Sequence, residues 1–343
     1  MLLERKKQHL DIVLSGKAHV GSRDAGFDAV RFEHIALPEL DMDSIDLTTQ
    51  FLGKLIGSPF LVSSMTGGPD AARGINHNLA VACETLRLPL AVGSQRVSLE
   101  SDHRGGLDKE LRRLAPSIPI LANIGAAQLN TGFGLDEARR AIDMIEADAL
   151  IVHLNPLQEA VQPEGDRDWS GLAAKIGALC SALPVPVAIK EVGYGISASV
   201  AARLWDQGVQ ILDVAGAGGT SWTAIEAERA ATPAQAAIAS AFNDWGQPTA
   251  RAIAAARAAC PSATIVGSGG IRNGVDAAKA IRLGADLVGQ AAAVLKPAMA
   301  SPDAVIEHFT IMSTQLRIAC FCTGSADLAA LRHAELEQPL VRP

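Results

Sequence analysis

Eight short apolar runs recur between residues 59 and 290, and each is released into glycine or polar residues. Pro59-Phe60-Leu61-Val62-Ser63-Ser64 leads into Met65-Thr66-Gly67-Gly68, and Leu90-Ala91-Val92 into Gly93-Ser94-Gln95-Arg96. Ile118 to Ala122 leads into Asn123-Ile124-Gly125. Ala149-Leu150-Ile151-Val152 leads into His153, Asn155, Gln158 and Glu159, with Pro156 ending any strand. Pro186-Val187-Ala188-Ile189 ends in Lys190-Glu191, and Gln210-Ile211-Leu212-Asp213-Val214 in Ala215-Gly216-Ala217-Gly218-Gly219-Thr220. Thr264-Ile265-Val266 ends in Gly267-Ser268-Gly269-Gly270-Ile271-Arg272, and Asp286-Leu287-Val288 in Gly289-Gln290-Ala291-Ala292. Unbroken rather than alternating apolar runs mark parallel strands buried on both faces.

Helical stretches fall between the runs. They cover 70–86, the segment between an N-cap at Ser197 and a stop at Gly208, 230–243 and 248–259, with terminal helices over 302–335. Strands alternating with helices define an α/β fold, and the count of eight predicts a (β/α)8 TIM barrel with an N-terminal extension and C-terminal helices. A doubly wound open sheet is the alternative. Residues 1–58 form the extension, in which 27–57 predicts loops and short antiparallel strands that plug or precede the barrel. Residues 59–343 form the barrel, as one domain overall.

Composition agrees with a large buried core: 48% of the 343 residues are hydrophobic and only 4% aromatic, so Ala, Val, Ile and Leu must fill it. The net charge of −7 argues against general nucleic-acid or membrane binding. The five cysteines have no metal-ligand spacing and read as reduced thiols of a cytoplasmic protein. The first twenty residues are too charged for a signal peptide, and no apolar run reaches membrane-spanning length.

Chemistry belongs at the carboxyl ends of such strands. The bunch His153, Asn155, Gln158 and Glu159 is either a site or a polar connection that caps the next helix. Gly267-Ser268-Gly269-Gly270 and Gly289-Gln290-Ala291-Ala292 follow strands seven and eight, where barrels bind phosphate against close backbone amides and a helix start. Lys190, approached through Val187-Ala188-Ile189, places a cation inside the barrel mouth. Arg5-Lys6-Lys7-Gln8-His9 is either a solvated tail or an anion clamp brought to the site.

Together these motifs resemble the flavin-dependent, type 2 isopentenyl-diphosphate isomerases over about residues 5–335. The resemblance rests on Arg5-Lys6 with His9, Met65-Thr66-Gly67-Gly68, Gly93-Ser94-Gln95-Arg96, Asn123-Ile124-Gly125, the stretch His153 to Glu159, Lys190-Glu191-Val192-Gly193, Gly218-Gly219-Thr220-Ser221-Trp222 and Gly267 to Arg272. The basic amino terminus combined with the stretch ending Gln158-Glu159 separates this family from other FMN barrels. One departure is Gln8, where the family often has an acidic residue before the histidine.

The resemblance implies FMN, Mg2+ and NADPH as reductant, with isopentenyl and dimethylallyl diphosphate as substrate and product. Met65, Thr66, Gly67, Ser94, Asn123, Lys190 and Thr220 would hold the flavin ring and ribityl chain, and Gly269, Gly270, Arg272, Ala291 and Ala292 its phosphate. Arg5, Lys6, Ser94, Gln95, Arg96, Asn155 and Gln158 would bind substrate, making residues 1–58 a substrate clamp. Glu159 would ligate the metal, and His153, Gln158 and Lys190 would form the catalytic set. It also implies a homo-oligomer, a tetramer or octamer. A hydroxy-acid oxidase or dehydrogenase on the same barrel predicts a histidine base near strand seven, yet no histidine lies between His153 and His308. A flavin-free phosphate-binding barrel is the remaining alternative, separated from the first by FMN uptake.

Overall fold

The computed structural model describes residues 2–16, 18, 24–64, 71–101 and 105–337, without the side chains of 2–7 and 71. A helix, Leu2–Leu14, comes first. A short antiparallel hairpin follows, β1 (Thr49–Phe51) and β2 (Lys54–Ile56). Eight parallel strands then close into a barrel: β3 (Phe60–Val62), β4 (Leu90–Ala91), β5 (Ile120–Gly125), β6 (Ala149–Leu154), β7 (Val187–Glu191), β8 (Ile211–Asp213), β9 (Thr264–Ser268) and β10 (Leu287–Gln290). The order runs β10-β3-β4-β5-β6-β7-β8-β9, so β10 pairs with β3 and leaves no open edge. The doubly wound alternative is excluded.

Two layers fill the lumen. Leu61, Ala91, Leu121, Ile151, Ala188, Ile211, Val266 and Leu287, one from each strand, form an apolar cluster with Phe51 and Ile56 of the hairpin. The hairpin therefore packs against the barrel's interior core, the plug expected within 27–57. Two residues further along each strand, on the same face of the pleat, come Ser63, Gly93, Asn123, His153, Lys190, Asp213, Ser268 and Gly289. Register confirms the layer: His153 pairs with Lys190, and Lys190 with Asp213. The apolar ring stabilises the barrel; the polar ring above it is the floor of the site.

Several element boundaries differ from the expectation. β5 begins at Ile120, not Ile118, and runs on through Asn123-Ile124-Gly125. Asn123 stays in the strand because its side chain is satisfied there by Val92 and His153. The Ala-rich segment 230–243 contains a shorter helix, Pro233–Ser240, started by Thr232, whose hydroxyl accepts from Gln235 N. An additional helix, Trp222–Arg229, begins at Ser221, whose hydroxyl accepts from Ala224 N. Ala198–Trp205 starts at Ser197 as expected, and Gly208 (φ 91°) turns the chain away after it. The terminal helices are Pro302–Cys322 and Leu328–Leu331.

Candidate active site

Two adjoining lobes open at the carboxyl ends of the strands, about 250 Å3 and about 560 Å3. Lys190, Thr220, Ala291 and Ala292 line both, so they form a shared wall. Of the residues singled out in the sequence, Ser94, Arg96, Asn123, His153, Asn155, Gln158 and Glu159 line the smaller lobe. Gly269, Gly270 and Arg272 line the larger. Met65, Thr66 and Gly67 lie outside the described residues, as do the side chains of Arg5 and Lys6.

The smaller lobe is built as a chain of hydrogen bonds. Asn123 Nδ2 donates to Val92 O (3.1 Å), which turns its Oδ1 toward His153 Nδ1 at 2.8 Å. An amide oxygen only accepts, so Nδ1 of His153 carries a proton and donates it to Asn123. Asn155 Nδ2 donates to both Gln158 Oε1 (3.1 Å) and Glu159 Oε1 (2.8 Å). Glu159 Oε2 accepts from Asp166 N at 2.8 Å. That closure needs glycine at 165: a Cβ there would lie 1.9 Å from Glu159 O. Arg96 is held by Glu100 (2.9 Å) and Asp166 (3.1 Å).

Gln95 stands apart from its neighbours Ser94 and Arg96. It is fully buried, with Nε2 donating to Ala141 O (2.9 Å) and Oε1 accepting from Asn123 N (2.8 Å). It is not part of the cavity wall; it positions Asn123 and, through it, His153.

The amino-terminal helix crosses the mouth, with His9, Leu10 and Val13 on the wall of the smaller lobe. Its anchor is Glu226, a residue that the sequence reading missed. Glu226 Oε1 meets His9 Nε2 (3.0 Å), Gln162 Nε2 (2.6 Å) and Gln158 Nε2 (3.4 Å), and Oε2 accepts from Arg229. Burial alone would raise this carboxyl. The His9 and Gln162 hydrogen bonds and the attraction of His9 and Arg229 outweigh it and hold the group below the ordinary glutamate value. His9 also packs edge-on against Trp222, ring centroids 5.1 Å apart. Gln8 Oε1 accepts from Arg229 Nε at 3.1 Å, so a neutral side chain serves at that position.

The larger lobe suits a phosphate-bearing cofactor. Gly269 and Gly270 have φ of 101° and 69°, which few other residues adopt. A Cβ on Gly219 would sit 2.7 Å from Gly270 N, so glycine at 219 keeps that amide open. The helix Ala292–Ala300 starts at Ala291 without a side-chain cap, leaving its first amides to the lobe. On the wall of the smaller lobe, the buried Ser64 Oγ has no hydrogen-bond partner among the described residues. These features fit FMN. Arg272 is already engaged by Asp276 (2.9 Å) and Asp28 (3.0 Å), so a phosphate there shares it with two carboxylates.

Residues 146–338 match the family model described as FMN-dependent dehydrogenase. An isopentenyl-diphosphate delta-isomerase of Stutzerimonas stutzeri is 61% identical over 98% of this chain and 97% of its own. The one from Nostoc is 46% identical over 96% and 94%. The chain belongs to the isopentenyl-diphosphate delta-isomerase family. Solved flavoenzymes share the fold of this isomerase family member at low identity. Mandelate oxidase with benzoyl-formic acid has a TM-score of 0.65 at 17% identity, covering 95% of this chain and 91% of that one. An (S)-mandelate dehydrogenase chimera has 0.67 at 15%, covering 96% of each.

The histidine that an oxidase reading requires near β9 is absent from this isomerase. His308 sits in the terminal helix, bonded to Gln290 Oε1 (2.7 Å), and burial lowers its pKa. Among the described residues no group of three His, Cys, Asp or Glu side chains is placed to hold a metal ion, and no helix is long and apolar enough to cross a membrane.

Proposed function

We propose that the protein interconverts isopentenyl and dimethylallyl diphosphate, with the FMN phosphate in the larger lobe, the flavin ring at the shared wall within reach of Ser94 and Asn123, and the substrate in the smaller lobe. The observation that carries this reading is the wall common to both lobes: Lys190, Thr220, Ala291 and Ala292 bring any substrate directly against the cofactor. The terminal methylene carbon of isopentenyl diphosphate gains a proton and C2 loses one, so substrate and product stand at the same oxidation level. An alkene is a weak base, and protonating it requires an acid held against the carbon away from water. Bound FMN, once reduced by NADPH, supplies that acid–base chemistry.

The remaining work falls to the chain. Leu10 and Val13 exclude water from the hydrocarbon part, and His153, Asn155 and Gln158 fix its position. Lys190, 7% exposed, favours negative charge on the cofactor electrostatically. Arg96 neutralises the diphosphate, joined by Arg5 and Lys6 from the amino-terminal helix. Glu159 keeps a lone pair on each oxygen beyond its two donors; it holds Mg2+ together with diphosphate oxygens and water, since magnesium commonly takes only one or two carboxylates. The five unpaired cysteines favour a reducing cytoplasm. The assembly we assign is a homo-oligomer, tetramer or octamer. Incubation with isopentenyl diphosphate, FMN, NADPH and Mg2+ tests the reading: dimethylallyl diphosphate is the expected product, and recovery of unchanged substrate from FMN-loaded protein contradicts it.

A further inference from the structure

The geometry points to Asp213 as the residue that restrains Lys190 and so limits how strongly the cofactor lobe prefers a reduced, anionic flavin over an oxidised one. The inference rests on the flavin reading above. Asp213 stands in the polar ring beside Lys190, in register with it, and is only 5% exposed. It is not part of the wall of either lobe, so it acts through its neighbours. Its Oδ1 accepts from Ser268 Oγ at 2.5 Å, and its Oδ2 accepts from Ser63 Oγ at 3.0 Å across the lumen. Lys190 Nζ lies 3.9 Å from the same Oδ2 and donates to Glu191 O at 2.7 Å.

A buried carboxylate is costly unless donors and a cation compensate it, and here two hydroxyls and one ammonium do so. The neighbouring acid acts on the lysine only through its field, because its own hydrogen bonds go elsewhere. Glu191 Oε2 faces the backbone amides of Val192, Gly193, Tyr194 and Gly195. Asp213 is therefore the carboxylate that forms the ion pair with Lys190. Alone, Lys190 would present a full positive charge to the lobe. Paired with Asp213 it presents much less, because opposite charges at this distance in a poorly solvated site largely offset each other. Asp213 is a positioning and charge-setting residue, not one that touches substrate.

Asp213→Asn tests this on the full-length, FMN-loaded protein. Asn keeps one acceptor, and its amide can donate to the other hydroxyl, so the tie between Ser63 and Ser268 survives while the charge goes. The readouts are the flavin midpoint potential and the dissociation constants of oxidised and reduced FMN. The expected result is at least a tenfold gain for reduced over oxidised FMN, which is about 30 mV upward for a two-electron couple. A potential that stays or falls overturns the inference. Should the Asn variant fold poorly, Asp213→Ser carries the same expectation. Asp148→Asn, altering an acid that pairs with Lys54 and Arg112 at the opposite end of the barrel, should leave the potential unchanged. An equal shift there would show a generic charge effect and overturn the assignment. Failure of the unaltered protein to take up FMN defeats the flavin reading instead, and is seen before any variant is made.

Discussion

Glu226 Oε1 lies 3.0 Å from His9 Nε2, joining the helix that follows β8 to the amino-terminal helix across the barrel mouth. The same carboxylate receives the amides of Gln158 and Gln162, so one buried group orders the clamp and the substrate wall together. Glu226→Ala would leave those partners unsatisfied and should destabilise the protein by about 3–5 kcal/mol, the cost of breaking a buried pair. Glu226→Gln, which keeps the shape, should raise KM for isopentenyl diphosphate about tenfold with FMN affinity unchanged. A KM equal to that of the unaltered protein would separate the helix from substrate binding. Because the folded pKa is depressed, the stabilisation is present above the ordinary glutamate value near 4.5 and is lost as pH falls below it.

Glu159→Gln should retain FMN, raise the Mg2+ concentration needed for half-maximal rate about tenfold or more, and depress turnover. The carboxylate accepts from Asn155 and from Asp166 N, so the neutral variant also weakens the loop over 162–171 by about 1 kcal/mol. Titrating Mg2+ against initial rate is the check, and an unchanged requirement removes the metal from this residue.

Gln95→Ala should destabilise the protein by about 1–3 kcal/mol, because Asn123 N loses its acceptor in a fully buried place. Salt dependence of KM should not change, since Gln95 makes no contact with the diphosphate in this account. A selective loss of diphosphate affinity with normal stability would return Gln95 to the substrate site.

Burial pushes the Glu191 carboxyl up to about 7, against the backbone amides that favour its charged form. A raised carboxyl means that the folded protein holds its proton longer than the unfolded chain. Stability is then greatest below the ordinary value near 4.5 and declines as pH rises toward 7. Thermal melts between pH 5 and 7.5 should show that decline, and Glu191→Gln should flatten it. Identical slopes in both proteins would count against the raised value.

The barrel was legible because eight apolar runs each end in polar or glycine residues, and the second residue past each interior position marks the floor of the site. His153, Lys190 and Asn123 stand out by that rule. Asp213 obeys it too, yet it reads as the end of an apolar run, and only the closure of the barrel shows Ser63 reaching it from a distant strand. Glu226 is hidden differently. Its helix is short and its signal is the Ser221 cap alone, and the meaning of the carboxylate depends on His9, 217 positions earlier. Gln95 sits in a motif full of site residues, and side-chain direction, not sequence, removes it from the wall.

Acid–base chemistry at a flavin without net oxidation separates an isomerase from an oxidoreductase on this barrel. The most direct test counts NADPH consumed against dimethylallyl diphosphate formed, under anaerobic conditions, starting from the oxidised FMN-loaded protein. The account predicts no turnover before reduction and many product molecules for each NADPH afterwards. One NADPH consumed for every product would contradict it and make the protein an oxidoreductase.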